Sequence, residues 1–272
     1  MALQLAFDTP KSEWLPPSEL PNIFDAKQIA IDVETRDPNI KTLGAGWATG
    51  DGEVVGYAIA VSDWSGYIPI RHKYGGNLDE PVVNKWLKKV FESIIDTMLI
   101  AALLDENRFS YSLNALAYDH LGKVKSEKNL IEAARGFGLD PKAELWKMPA
   151  MYVGPYAEGD AELTLELWNY LSGQLGKEDL WPIANLELDL LPCLIDMTWR
   201  GVRVDQDKVE RTRNSLLKRE KEVLGHIKKL VGHDIEIWAA ASIAKAFEAL
   251  SIDYPRTDKG APSFTKQFLT DH

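Results

Sequence analysis

Two acidic residues, Asp32 and Glu34, stand two apart at the end of the apolar run 27–35. In a strand alternate residues share a face. Gln28, Ala30, Asp32 and Glu34 then point one way and Ile29, Ile31 and Val33 the other. Side-by-side carboxylates repel each other, so they need a cation between them or one must keep its proton. A divalent metal meets that need, and hard oxygen ligands suit Mg²⁺ or Mn²⁺. A third acid, Asp160, lies on the most regular helical stripe of the chain, residues 156–171, where Tyr156, Asp160, Leu163, Leu167 and Tyr170 share a face. That stripe should face the core, so Asp160 is expected on the buried side, where a carboxylate needs a partner. Tyr156 precedes it by four residues, the spacing at which helix side chains project together. Taken alone, Asp160 has a plainer reading: a surface carboxylate, or one satisfied by an arginine or a backbone amide.

The elements that must carry these residues can be read from the pattern. Residues 1–26, with Pro10, Pro16, Pro17 and Pro21, predict an extended arm. Strands are expected at 29–34, 53–61 and 66–70, with a glycine-rich hairpin or wide loop at 43–52 between the first two. From Pro81 the period changes, and helices are expected near 81–91, 96–104, 112–121 and 127–137, the last closed by Gly138. Beyond 156–171 come helices at 187–198, with Leu186, Leu190, Leu194 and Met197 on one side, then 207–231 and 239–250. A last helix is expected to open after 260–264. A shift in composition near Trp199 separates two modules. Counting by function, the boundaries fall at 1–26 for the arm, 27–180 for an α/β domain and 181–272 for a helical remainder.

Composition is that of an ordinary soluble chain: 272 residues, 45% hydrophobic and 26% charged, enough for a sizeable core. The single cysteine, Cys193, rules out an internal disulfide, suggests a reducing compartment, and reads as a small buried apolar residue. No long uncharged apolar run or signal peptide is evident, so no membrane partner is expected and a cytoplasmic location follows. The net charge of −10 argues against a polyanionic partner, but it is uneven. Residues 200–230 hold ten Lys or Arg against five Asp or Glu. A basic helix of this kind is either a solvated surface or a track for a nucleic-acid backbone.

Taken in order, Asp32-x-Glu34 and Tyr156-x-x-x-Asp160 resemble the tyrosine branch of the DEDD superfamily of 3′→5′ exonucleases. Within it the chain most resembles the proofreading domain of family-A DNA polymerases, of the phage type. The segments Ile95-Asp96-Thr97-Met98-Leu99, Ser112-Leu113-Asn114-Ala115-Leu116-Ala117, 156–164 and Gly201-Val202-Arg203-Val204-Asp205 extend the likeness along nearly the whole chain. This resemblance implies an α/β, ribonuclease-H-like fold: a mixed sheet flanked by helices, followed by the helical start of a polymerase thumb. It implies hydrolysis of 3′-terminal phosphodiester bonds during DNA replication, with two metal ions about 3.5–4 Å apart. Asp32 would bridge both ions, Glu34 and Asp160 would complete the site of one, and the Tyr156 phenol would orient the attacking water. The implied partner is DNA, as a single-stranded 3′ end or a primer-template, read by stacking and backbone contacts.

Two departures accompany the likeness. The family's Asn-x-x-x-Tyr/Phe-Asp motif, whose aspartate helps hold the second metal, is expected before residue 96. Here Phe91-Glu92-Ser93 runs straight into Ile94-Ile95-Asp96. A strand, a helix and their loops, on the order of two dozen residues, are missing between Ser93 and Ile94. The sheet should therefore be incomplete and the second metal weakened or lost. A literal match, Asn114-x-x-x-Tyr118-Asp119, occurs within the segment resembling a family helix that carries no metal ligand, so Asp119 is read as an ordinary helix residue. The palm and fingers of the polymerase module are also absent, and the chain is not expected to extend a primer by itself. Two alternatives to an active proofreading nuclease stay open: a DNA-binding scaffold that has lost its chemistry, and a different ribonuclease-H-like nuclease such as one acting on RNA. His72, His120, His226, His233 and His272 lack zinc-like spacing. His72 is expected exposed in a loop, Trp86 and Trp168 are expected in the core, and Gly44-Ala45-Gly46 reads as a turn.

Overall fold

The computed structural model describes residues 9–91 and 94–271, and the chain divides into two compact units, Met1–Gly201 and Val202–His272. The first unit is built on a three-stranded antiparallel sheet in the order β1-β2-β3. Its strands are β1 (Ala30–Arg36), β2 (Glu53–Val61) and β3 (Trp64–Pro69). In register, Asp32 lies opposite Ala58 and Glu34 opposite Gly56, with an irregularity immediately after Glu34. β2 is the central strand, and its residues 58–60 are fully buried because both faces of the sheet are covered. β1 is an edge strand among the described residues. The position between Ser93 and Ile94, where the sequence predicts an absent strand and helix, falls at Glu92 and Ser93, which lie outside the described residues.

The helices follow their caps. A short α1 (Ile40–Leu43) sits in the glycine-rich region read as a loop. Asp79 caps α2 (Glu80–Val90) through the Val82 N–H, and Asp96 caps α3 (Thr97–Leu104) through Met98. Ser112 caps α4 (Leu113–Leu121), which Gly122 closes in the left-handed conformation at φ 67°. Then come α5 (Lys128–Gly136), a 3-10 turn at Leu145–Lys147, α6 (Ala150–Lys177) and α7 (Trp181–Arg200). The second unit contains the basic α8 (Gln206–Val231), α9 (Ala240–Ala249) and α10 (Lys266–Asp271).

α6 is the helix that matters most. Ala30, Ala58 and Ala60 of the sheet meet Val153, Ala157 and Ala161 of α6 in one core. Small residues on both sides let helix and sheet approach closely. The opposite face of the sheet packs Ile59, Ile68 and Val61 against Val83, Trp86 and Leu87 of α2 and Ile23 of the arm. The far half of α6 packs Leu167, Leu171 and Leu175 with Ile100, Leu116 and Ala184, and Trp168 lies against this cluster.

α6 begins six residues before the predicted stripe and passes through Pro155. Proline has no N–H, so it leaves the carbonyl four residues earlier without its helical donor. That carbonyl belongs to Met151, and the Ser12 hydroxyl donates to it at 2.7 Å. One residue before the proline, Gly154 makes room for Trp14, where a Cβ would lie 2.2 Å from the indole. Trp14 also donates its indole N–H to Glu158 at 2.8 Å. The described part of the arm, 9–26, is thus extended and anchored to α6; the first eight residues lie outside the described residues.

One expectation is overturned here. Cys193 is exposed, because its position on α7 faces away from the packed side that carries Ala184. The stripe of α7 read as apolar is also open, with Leu186 62% and Met197 66% exposed, since hydrophobic period alone does not name what covers it.

Candidate metal centre

Asp32 and Glu34 share the face of β1 that carries Ala30, and Ala30 is buried against the α6 core. The close approach of α6 brings Asp160, only 3% exposed, onto that face. Each of Asp32, Glu34 and Asp160 offers a carboxylate oxygen, and these oxygens all lie within 4.8 Å of one another. The strand pair and the helix therefore build one acidic pocket from residues far apart in sequence. Three hard oxygen donors this close fit Mg²⁺ or Mn²⁺.

The electrostatics show how costly the bare pocket is. Burial pushes the Asp32 carboxyl up to about 6, with the Asp160 charge adding to the effect. Burial together with the Asp32 and Asp160 charges pushes Glu34 up to about 8. Burial also raises Asp160, against the opposing pull of Lys125. Glu34, held above neutral pH, keeps its proton there unless a cation replaces it, while Asp32 is largely ionised.

Lys125 was not anticipated from the sequence. Its ammonium lies 2.5 Å from Asp160 Oδ2 and donates to the Tyr156 phenol oxygen at 3.0 Å. Burial opposes the charge on Lys125, but the bonds to Asp160 and Tyr156 outweigh it and the net shift is upward. The expectation that a buried Asp160 needs a partner was the available signal. Nothing in the spacing of residues 122–128 singles out this lysine among its neighbours Lys123 and Lys128. The loop is aimed by local bonds. Gly122 turns the chain out of α4, Lys123 pairs with Glu166 of α6, and the Lys125 N–H donates to Asn114 Oδ1 at 3.1 Å.

Tyr67, which sequence reasoning did not single out, and His72, which it placed wrongly, also lie beside the pocket. Gly56, opposite Glu34, leaves space for the Tyr67 phenol: a Cβ there would lie 2.2 Å from its oxygen. The phenol donates to His72 Nε2 at 2.7 Å, and His72 Nδ1–H donates to the Met148 carbonyl at 2.9 Å. A carbonyl only accepts, so this pattern requires the neutral Nδ1–H tautomer. His72 is 3% exposed, not the loop-surface residue expected, and burial lowers its imidazole to about 4. The charges of Glu34 and Asp32 both act on Tyr67, after burial itself, to raise its phenol.

Asp119 is on the exposed part of α4, ion-paired with Arg108, and it is not a member of the acidic cluster. The literal Asn-x-x-x-Tyr-Asp match thus supplies no fourth carboxylate among the described residues. Its first residue, Asn114, instead holds the backbone of Lys125.

Comparison with known proteins relates part of this chain to a known family. Residues 72–176 match the family model described as 3′-5′ exonuclease. That span includes Lys125, Tyr156 and Asp160, while Asp32 and Glu34 precede it. A DNA-directed DNA polymerase of Pseudomonas phage M6 is 34% identical over 299 residues, covering 97% of this chain and 45% of the relative. The 299 aligned positions exceed the 272 residues of this chain, so the phage relative carries residues with no counterpart here. The DNA polymerase DpoZ of Acinetobacter phage SH-Ab 15497 is 28% identical over 64% of this chain and 30% of its own length. The chain therefore spans less than half the length of these relatives. Among solved structures, the POL domain of Pol1 from M. smegmatis, in complex with DNA primer-template and dNTP, aligns with a TM-score of 0.61. It is 16% identical and the alignment covers 91% of this chain and 42% of that one, a likeness of fold. Residues 72–176 belong to the 3′-5′ exonuclease family of the family-A DNA polymerases.

Proposed function

We propose that this chain is the metal-dependent 3′→5′ exonuclease part of a family-A DNA polymerase, acting in proofreading during DNA replication. The observation that carries the proposal is the meeting of Asp32 and Glu34 from β1 with Asp160 from α6. Two acids on a strand are common; a third delivered to them by a helix that also carries Tyr156 is a built pocket. Asp32, Glu34 and Asp160 would hold Mg²⁺ or Mn²⁺. The bound ion would supply Lewis acidity toward a phosphoryl oxygen and would lower the pKa of a water.

The chain's own residues do the rest. The Tyr156 phenol stands one helical turn before Asp160 and positions the attacking water. Lys125 keeps that phenol oriented toward the pocket. Tyr67, fixed by His72, supports the strand face that carries Glu34. A second ion, which the resemblance implies, would share Asp32 but lacks the carboxylate of the segment missing near Ser93. The exonuclease module is assigned to 27–180 and the start of a polymerase region to 181–272. The substrate is a single-stranded DNA 3′ end, presented from a primer-template when a polymerase module is joined to this chain. Among the described residues no helix is long and apolar enough to cross a membrane. We assign the chain to the cytoplasm of a phage-infected or bacterial cell, where such a substrate is found.

The lack of a fourth acid in the cluster among the described residues leaves one rival, a nuclease fold kept as a DNA-binding scaffold. One experiment separates them: labelled single-stranded DNA incubated with the whole chain and Mn²⁺. Stepwise shortening from the 3′ end that vanishes in Asp32→Ala supports the enzyme. Binding with no shortening supports the scaffold, and equal digestion of RNA points to a different nuclease of this fold.

A further inference from the structure

Lys125 differs from the other lysines of this unit. Its side chain is only 15% exposed, its ammonium sits on Asp160 and the Tyr156 oxygen, and it lies 4.9 Å from the Tyr156 ring centre. Its backbone is tied to Asn114 and its neighbour Lys123 to Glu166. A lysine held at both backbone and ammonium is a fixed charge rather than a mobile surface one.

The charge count gives that fixed cation a meaning. Ionised Asp32, Glu34 and Asp160 carry three negative charges. Lys125 neutralises one of them, leaving two, which is the charge of a single divalent ion. A second divalent ion would face the ammonium at short range in a partly desolvated pocket, where like charges repel strongly. Among the described residues no further acid joins the cluster to offset this repulsion, and Asp119 is paired with Arg108.

We infer that Lys125 is a positioning residue that takes the place of one of the two cations: it neutralises Asp160, holds the Tyr156 phenol, and limits the pocket to one divalent ion. This rests on the metal-site reading above. Lys125 and the ion compete for Asp160, so removing the ammonium strengthens metal binding while it frees the phenol and slows cleavage. A general loosening of the fold weakens both, so the opposed changes distinguish positioning from mere support.

The test uses the whole chain, stripped with chelator and titrated with Mn²⁺ alone by calorimetry and by electron paramagnetic resonance of the free ion. Wild type takes up one equivalent. Lys125→Met binds Mn²⁺ about tenfold more tightly, a modest share of a close charge pair, yet shortens 3′-labelled DNA more slowly. Lys125→Arg keeps the wild-type affinity. If Lys125→Met does not fold, Lys125→Gln is read in its place, and the wild-type stoichiometry stands regardless. Two equivalents in wild type, or no tightening in the neutral variant, overturns the inference. Wild type that binds no Mn²⁺ at all removes the metal site itself, a different failure.

Discussion

Glu34→Gln should stabilise the metal-free protein at alkaline pH. Glu34 is raised from its ordinary value near 4.5 to about 8 by burial and by the charges of Asp32 and Asp160. The folded state therefore holds this proton more tightly than the unfolded chain does. Stability is full below about pH 4.5 and is lost as pH rises through about 8. Asp32, raised to about 6, has largely titrated by then, so the upper part of the window belongs to Glu34. At about 1.36 kcal/mol per unit the ceiling is roughly 4–5 kcal/mol. Glu34 keeps partial access to solvent and its titration is shared with Asp32, so about 2 kcal/mol is the working figure. For a chain of this size that is roughly 5 °C in melting temperature. The assay is thermal unfolding in chelator at about pH 8.5, followed by circular dichroism. Glutamine carries no proton to lose, so the variant should melt higher than wild type and show a flatter pH dependence between about pH 6 and 8. In Mg²⁺ at roughly a hundred times its dissociation constant, wild type gains about 2.7 kcal/mol and the advantage of the variant disappears. A variant that melts at or below wild type in chelator would refute the reasoning, because Glu34 would then carry no strain for a cation to relieve.

Other substitutions separate the pocket from its surroundings. Asp119→Asn should leave Mn²⁺ affinity and DNA shortening unchanged within about twofold, whereas Asp160→Asn should slow shortening by more than about 100-fold with the fold retained in circular dichroism. Trp14→Ala removes the indole seated on Gly154 and one hydrogen bond to Glu158, and should cost about 2 kcal/mol in denaturant unfolding. Gly56→Ala drives a methyl into the Tyr67 phenol, and should cost about 1–3 kcal/mol and loosen the strand beneath Glu34.

The strand end and the helix stripe were legible because both rest on local periodicity. Alternation placed Asp32 and Glu34 on one face, and the 3.6-residue period placed Asp160 on the buried side of α6. Caps at Asp79, Asp96 and Ser112, with the Gly122 terminus, account for how closely the helix starts and stops matched expectation. What stayed hidden depends on tertiary approach. Lys125 reaches the pocket only because a loop is tied to α4 and α6, and no residue spacing encodes that. His72 follows a strand and looks like a surface histidine. It is buried because the chain folds back to offer it the Met148 carbonyl. α6 starts six residues before the predicted stripe because Pro155 is accommodated inside it. The arm makes good the lost helical bond through Ser12, across a long separation in sequence. Cys193 and the α7 stripe show the converse: an apolar period gives a face, not the surface that covers it.

A cation seated among Asp32, Glu34 and Asp160 is the centre of the proposed chemistry. Crystals of the chain soaked in Mn²⁺ and measured at the manganese absorption edge locate it directly. The expected result is an anomalous peak about 2.0–2.3 Å from an oxygen of each of the three carboxylates. Density showing the three side chains turned away from one another, or a peak only at other acids, would contradict it.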